Sequence, residues 1–301
     1  MKILATRRYP GPAFDELAPE IVPLADLREP RGDVEGLIVA NEPVPLDLLP
    51  ALRIVANFGV GYDSVDVAEL ASRGVVVTNT PGVLDDATAD LAFALILAAR
   101  RRLVDADRRV RTGRWGGFWA EGELSGDVTG STLGIVGLGR IGSAVARRAR
   151  GFELRVLDTG RSRVETELGE YRDLDALLGE SDIVSIHAPL TPETHGLIDA
   201  RRLALLRDGA CLVNTARGEI VDEQALVAEL VSGRLSAGLD VFAHEPHVPP
   251  ELLELPNVVL TPHIGSATRQ AREAMTRLVV DNLRAVERGE PPLTPVPPGF
   301  G

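Results

Sequence analysis

Cysteine is nearly absent: Cys211 stands alone in 301 residues, so no intramolecular disulfide can form and the fold must rest on its core. Long apolar runs are missing too. The longest, residues 91–99, is far too short to span a bilayer. The opening MKILATRRYP lacks the apolar segment of a signal peptide, so a reducing, cytoplasmic setting is expected. Basic charge falls short of acidic, 32 Lys and Arg against 44 Asp and Glu, and the formal net charge of -12 argues against a nucleic-acid surface. The arginine-rich runs at 100–102 and 108–111 are read as helix faces. No Cys/His cluster or paired-carboxylate spacing indicates a metal, and no internal repeat is visible. What remains is a composition 45% hydrophobic and 25% charged, suited to a globular chain of two domains.

Strand-like apolar runs alternate with helical patterns along almost the whole chain. One series falls at 2–5, 36–40, 53–56 and 75–78, and a second at 132–136, 154–157, 183–187, 210–214, 237–241 and 258–260. Such alternation predicts an α/β protein of two Rossmann-like or flavodoxin-like, doubly wound parallel-sheet domains with a cleft between them. The expected division is 1–98 plus 267–301 for a substrate-binding domain and 99–266 for a dinucleotide-binding Rossmann domain. Residues 87–110 read as one long helix bridging the two, and residues 267–287 as a helix returning the chain to the first.

The densest signal is STLGIVGLGRIGSAVARRARGFELRVLDTGRSR, a β-turn-α-β unit with Gly137, Gly139 and Gly142 at G-x-G-x-x-G spacing. The first glycine permits the tight turn, the second lets backbone approach a pyrophosphate, and the third lets helix and strand pack closely, while the helix N-terminus supplies positive potential. Placed between strand and helix, the motif points to a bound dinucleotide rather than a ligand-free turn.

Three further residues each follow a predicted strand, where open α/β sheets place ligands: Arg217 in NTARGEIVD, Glu245 in LDVFAHEP and His263 in LTPHIGSAT. Reduction of a 2-keto acid by hydride transfer needs a cation to orient the substrate, an acid to protonate the developing alkoxide, and a carboxylate to keep that acid charged. Arginine, histidine and glutamate fill those roles. Taken singly, Arg217 also fits a surface arginine after a turn, Glu245 a loop carboxylate before Pro246, and Asp240 a strand-end cap. His195, His244 and His247 read as solvated, while His187 ends a strand at the edge of the expected cofactor site. A carboxylate ionised beside His263 favours its imidazolium, so reduction is expected to weaken at higher pH.

The motifs NFGVGYDSVD, VTNTPGVLDDATADLAFALILAARRR, GSTLGIVGLGRIG, HAPLTPETHGLI, NTARGEIVDEQAL, GLDVFAHEP and TPHIGSAT together resemble the D-isomer-specific 2-hydroxyacid dehydrogenases, especially the glyoxylate and hydroxypyruvate reductase branch, over about residues 52–268. The resemblance implies His263 as acid/base, Glu245 as its partner and Arg217 as substrate clamp, with the Val60 and Gly61 backbone and His263 at the substrate. It also implies Asp240 near the nicotinamide carboxamide, and closure of the domains about the bridging helix is expected because expelling water strengthens these electrostatic contacts. The implied cofactor-binding set takes in Gly137, Gly139, Arg140, Ile141, Gly142, Gly160, Arg161, Ser162, His187, Pro189, Thr194, Thr215, Ala216, Arg217, Asp240, His263 and Gly265.

An acidic residue ending the second strand ordinarily reads the adenosine ribose of NAD, and Asp158 has that look. Comparison with the family instead puts the position at Gly160, followed by Arg161, Ser162 and Arg163. That pattern favours NADP(H), because no carboxylate repels a 2′-phosphate and arginine and serine donate to it, with NAD(H) use still possible. The family also implies a homodimer. Trp115, Phe118 and Trp119 in GRWGGFWAEG suit its interface, and Trp115 or Trp119 the partner subunit's substrate pocket. Other readings are a phosphoglycerate- or phosphite-type dehydrogenase and a non-enzymatic dinucleotide-sensing corepressor. Neither a regulatory C-terminal domain nor an appended interaction segment is expected beyond Pro291.

Overall fold

The computed structural model describes residues 1–117, 124–161, 163 and 166–298. The strands are β1 (Ile3–Ala5), β2 (Glu20–Ile21), β3 (Gly36–Val39), β4 (Ile54–Asn57), β5 (Val76–Thr78), β6 (Thr132–Val136), β7 (Arg155–Thr159), β8 (Glu170–Tyr171), β9 (Ile183–Ile186), β10 (Cys211–Asn214), β11 (Ser236–Leu239) and β12 (Val258–Leu260). The helices are α1 (Pro12–Asp15), α2 (Val67–Ser72), α3 (Asp85–Arg100), α4 (Leu103–Arg111), α5 (Arg140–Ala149), α6 (Leu174–Glu180), α7 (Ala200–Leu203), α8 (Glu223–Val231) and α9 (Arg269–Glu287). None of the described helices is long and apolar enough to cross a membrane.

The chain resolves into two compact units, Met1–Asp85 with Ser266–Gly301, and Asp86–Gly265. The first carries a five-stranded parallel sheet in the order β2-β1-β3-β4-β5. Leu4, Leu37, Val39, Val55 and Leu70 fill its core. Helix α9 lies in the same unit, burying Ala271, Met275, Val279, Leu283 and Val286, and begins where Thr268 Oγ1 accepts from Ala271 N at 3.2 Å.

The second unit carries a seven-stranded parallel sheet in the order β12-β11-β10-β9-β6-β7-β8. Strand order reverses between β6 and β9, leaving a crevice outside their carboxyl ends, where ligands bind in such sheets. Strands β9 and β10 are buried along their whole length because helices cover both faces. One face packs on α6, α7 and α8 through Leu177, Leu203 and Leu226, the other on α3 and α5 through Phe93, Ile96 and Val145.

Two expectations change. Residues 87–110 are not one helix: Arg102 takes a left-handed conformation, φ +50°, and separates α3 from α4. Helix α3 itself crosses the expected boundary after residue 98, so the first unit ends at Asp85. Its buried side chains Ala89, Ala92, Phe93, Leu95, Ile96 and Ala99 all belong to the second unit's core.

Loss of the α9 cap gives the first test. Thr268→Ala should cost about 0.5–2 kcal/mol in denaturant unfolding, whereas Thr268→Ser should cost far less because it keeps the acceptor.

Candidate active site

The glycine turn follows β6, at the strand-order reversal. Gly137 sits at φ +97°, and a Cβ there would lie 2.8 Å from the Ala188 nitrogen after β9. A Cβ on Gly142 would stand 2.2 Å from the Gly137 carbonyl oxygen, so only glycine lets α5 begin this close to the turn. Gly139, the N-cap of α5, has no neighbour within 4 Å of its Cβ position and offers no side chain to cap the first turn. This bare helix start, with open space over Gly139, fits a pyrophosphate.

The neighbouring strand ends add polar groups. His187 Nε2 lies 2.8 Å from Ser185 Oγ and its Nδ1 3.5 Å from Thr215 Oγ1. Burial pushes the imidazolium down to about 4, so the ring is neutral at pH 7. Thr194 Oγ1 donates to the Pro189 carbonyl at 2.6 Å and accepts from Thr191 N at 2.8 Å, shaping the loop after β9.

Arg217 follows β10 on a loop built by Asn214, whose Oδ1 accepts from Ala216 N at 3.0 Å while its Nδ2 donates to the Arg217 carbonyl at 2.8 Å. The Arg217 guanidinium donates to the Ala216 carbonyl at 2.7 Å. Backbone contact joins this loop to the one after β11: a Cβ on Gly218 would sit 2.0 Å from the Phe242 carbonyl carbon. Glu245 closes that second loop, its Oε1 accepting from Phe242 N at 3.2 Å and its Oε2 lying 2.8 Å from His263 Nδ1. Burial alone pushes the Glu245 carboxyl up. The hydrogen bond and charge of His263, the Phe242 N–H and the charge of Arg217 outweigh it and bring the carboxyl below its ordinary 4.5.

His263 is held by Asp240, fully buried at the end of β11. Its Oδ1 accepts from Thr261 Oγ1 at 2.6 Å and Ile264 N at 2.8 Å, its Oδ2 from Gly265 N at 2.8 Å, and its carbonyl from His263 N at 2.8 Å. That set of bonds keeps His263 at φ +52°, a left-handed conformation uncommon for a residue with a side chain. Arg217, Glu245 and His263 therefore come together, and the Asp240 carboxylate is spent on the loop beside them.

Asp158 is not the surface carboxylate its position in β7 suggests. It is 2% exposed, its Oδ2 has no hydrogen-bond partner among the described residues, and burial pushes its carboxyl up. Gly160 and Arg161, just beyond β7, are exposed, while Ser162 lies outside the described residues.

In the first unit, Val60 and Gly61 follow β4 on a loop whose carbonyls are all tied back. Gly59 O accepts from Thr80 N at 3.0 Å, Val60 O from Asn79 Nδ2 at 3.0 Å, and Gly61 O from Asn57 Nδ2 at 2.8 Å. Among the described residues neither the Val60 nor the Gly61 N–H has a partner, which leaves two successive donors unengaged. Trp115 is 67% exposed, its Nε1 donating to the Gly117 carbonyl at 2.7 Å, and Phe118 and Trp119 lie outside the described residues.

The reading of sequence passed over Asn57, Asn79, Asn214 and Gly218, which shape these loops. A polar residue ending an apolar strand, as Asn57 and Asn214 do, is the signal that marks two of them.

The family model for the NAD-binding domain of D-isomer-specific 2-hydroxyacid dehydrogenases matches residues 93–265. The chain belongs to that family. A glyoxylate reductase of Pyrococcus horikoshii is 54% identical to this dehydrogenase, over 97% of this chain and 95% of that one, which places it in the glyoxylate reductase branch. Among solved structures, TT0316 protein of Thermus thermophilus superposes with a TM-score of 0.91 at 43% identity, covering 99% and 100% of the two chains. The NADPH-dependent glyoxylate/hydroxypyruvate reductase of Sinorhizobium meliloti, solved with NADP and malonate, does so with a TM-score of 0.90 at 40% identity, covering 98% and 96%. The family's cofactor is a nicotinamide dinucleotide and its substrates are small keto or hydroxy acids.

Asp240→Asn sets an amide N–H₂ against at least one N–H or O–H donor, so amide hydrogen exchange at Ile264 and Gly265 should quicken by roughly tenfold or more, for a cost of about 1–3 kcal/mol. The lowered Glu245 carboxyl contributes stability that is complete above its unfolded value of 4.5 and is lost as pH falls through the folded one. Glu245→Gln should therefore differ from the parent in thermal midpoint at pH 7 more than at pH 3.

Proposed function

We propose that this dehydrogenase reduces small 2-keto acids, glyoxylate and hydroxypyruvate foremost, with NADPH preferred over NADH. The 2.8 Å contact of His263 Nδ1 with Glu245, beside the Arg217 loop, carries the reading. The Asp86–Gly265 unit is the dinucleotide-binding domain and the other the substrate-binding domain.

A bound reduced nicotinamide supplies the hydride. Gly139, Arg140, Ile141 and Gly142 would hold the pyrophosphate through backbone N–H groups, and Gly137, whose own N–H donates to the Thr159 carbonyl at 2.9 Å, would shape the turn beneath it. His187, Pro189, Thr194, Thr215, Ala216, Asp240 and Gly265 line the other strand ends where the nicotinamide half would lie. Arg217 binds the substrate carboxylate and stabilises charge growing on the carbonyl oxygen. Because Nδ1 is engaged by Glu245, Nε2 of His263 is the nitrogen that delivers a proton to that oxygen. Glu245 keeps the ring oriented and its cationic form favoured. The Val60 and Gly61 N–H groups help to hold that same substrate carboxylate.

The cofactor preference is supported by the buried Asp158, which presents no carboxylate at the end of β7, by Gly160 and Arg161 there, and by the NADPH dependence of the Sinorhizobium meliloti relative. A homodimer is supported by Leu103, Val104 and Val110 on α4, all more than half exposed, and by exposed Trp115. A reducing cytoplasm suits the single, buried Cys211.

Turnover of glyoxylate and hydroxypyruvate, followed by nicotinamide absorbance, should be faster with NADPH than with NADH. Arg161→Ala should raise the NADPH KM far more than the NADH KM. His263→Gln should lower kcat by about 10²–10⁴-fold, and unchanged turnover would remove the assignment.

A further inference from the structure

Arg272, in the first turn of α9, has a setting unlike that of the arginines farther along the helix. Arg277 and Arg284 pair with Glu16, and Arg288 pairs with Glu290. Arg272 is half-buried and, among the described residues, its guanidinium makes no hydrogen bond or ion pair. Its guanidinium carbon lies 5.5 Å from the centroid of the Phe58 ring. Phe58 is itself 5% exposed and packed 4.6 Å from Tyr9. Burial pushes the guanidinium down from its ordinary value. A cation in the first turn also opposes the helix dipole, which favours anions at that end. Water is partly stripped from the charge, the helix repels it, and no carboxylate repays either cost. An aromatic face answers only part of that deficit. Phe58 immediately precedes the Gly59–Val60–Gly61 loop, where the Val60 and Gly61 N–H groups have no partner among the described residues.

We propose that Arg272 is a specificity-determining residue that, with the Val60 and Gly61 N–H groups, receives the carboxylate end of the substrate. This rests on the reduction of 2-keto acids argued above. The guanidinium, rigidly placed on Phe58, supplies charge to a loop that otherwise offers only neutral donors, and so selects carboxylate-bearing carbonyl compounds.

Arg272→Met, which keeps an apolar chain over Phe58, should raise the glyoxylate KM by roughly 10–100-fold. Its kcat and its KM for the dinucleotide, bound by the other unit, should change little. Arg272→Lys should restore most of the loss. Calorimetric titration of the dinucleotide-loaded protein with oxalate reads the same site without turnover and should show a parallel weakening in Arg272→Met. Equal effects of Met and Lys, a dinucleotide KM that moves with the acid's, or unaltered oxalate affinity would each overturn the assignment. Absence of keto-acid turnover in the parent, with oxalate binding still dependent on Arg272, would overturn the proposed reaction and leave the anion site standing.

Discussion

The four hydrogen bonds that Asp240 accepts hold the rest of the site in place. A residue with a Cβ in the left-handed region costs about 1–2 kcal/mol, and His263 stays there because its own N–H and its two successors are bonded to one buried residue. Desolvation pushes the Asp240 carboxyl up, and the donors of Thr261, Ile264 and Gly265 are what make a buried carboxylate tolerable. The dependence runs both ways: the loop needs the acceptors, and the carboxylate needs the loop. From that fixed backbone His263 reaches Glu245, and Glu245 is anchored in turn by Phe242 N. The chain of contacts begins at β11, whose Gly238 lies so close to Leu95 of α3 that a Cβ would come within 2.8 Å of the leucine side chain.

Close backbone approach ties the other loops to the same edge of the sheet. Gly137 against Ala188 joins the turn after β6 to the loop after β9, and Gly218 against Phe242 joins the loop after β10 to the one after β11. In a parallel sheet all these loops leave at carboxyl ends, so residues far apart in sequence meet without long connections. The first unit uses asparagine side chains instead. Asn57 and Asn79 occupy the carbonyls of the loop after β4, and its amides are left to face outward chemistry.

Much of this is legible in the amino-acid sequence. Strands buried on both faces announce themselves as apolar runs, and each such run became a strand within a residue or two. The strands β2 and β8 went unseen because each is two residues long at a sheet edge, with Ile21 half exposed, so burial left no pattern. The break at Arg102 carries neither glycine nor proline, and its helical neighbours on both sides hid it. Motif and strand-end position marked Arg217, Glu245 and His263. Nothing in a linear reading distinguishes Arg272 from Arg277, since what separates them is Phe58 beneath one and Glu16 beside the other.

Asp158 shows why a residue's place in a strand matters more than its place in a motif. Strand side chains alternate between faces, and Asp158 lies on the face that carries Val156, under Gly169, where a Cβ on the glycine would come within 2.9 Å of its Oδ2. An acid there loses water without gaining a donor, and its carboxyl rises toward the neutral form. A ribose reader must offer its oxygens at the surface, and Asp158 is buried, with its carboxyl pushed up by that burial. The end of β7 then belongs to Gly160 and Arg161, where a glycine adds no repulsion and an exposed arginine adds positive charge. The burial of one carboxylate and the exposure of one arginine at that edge are the two observations on which the proposed NADP(H) preference rests.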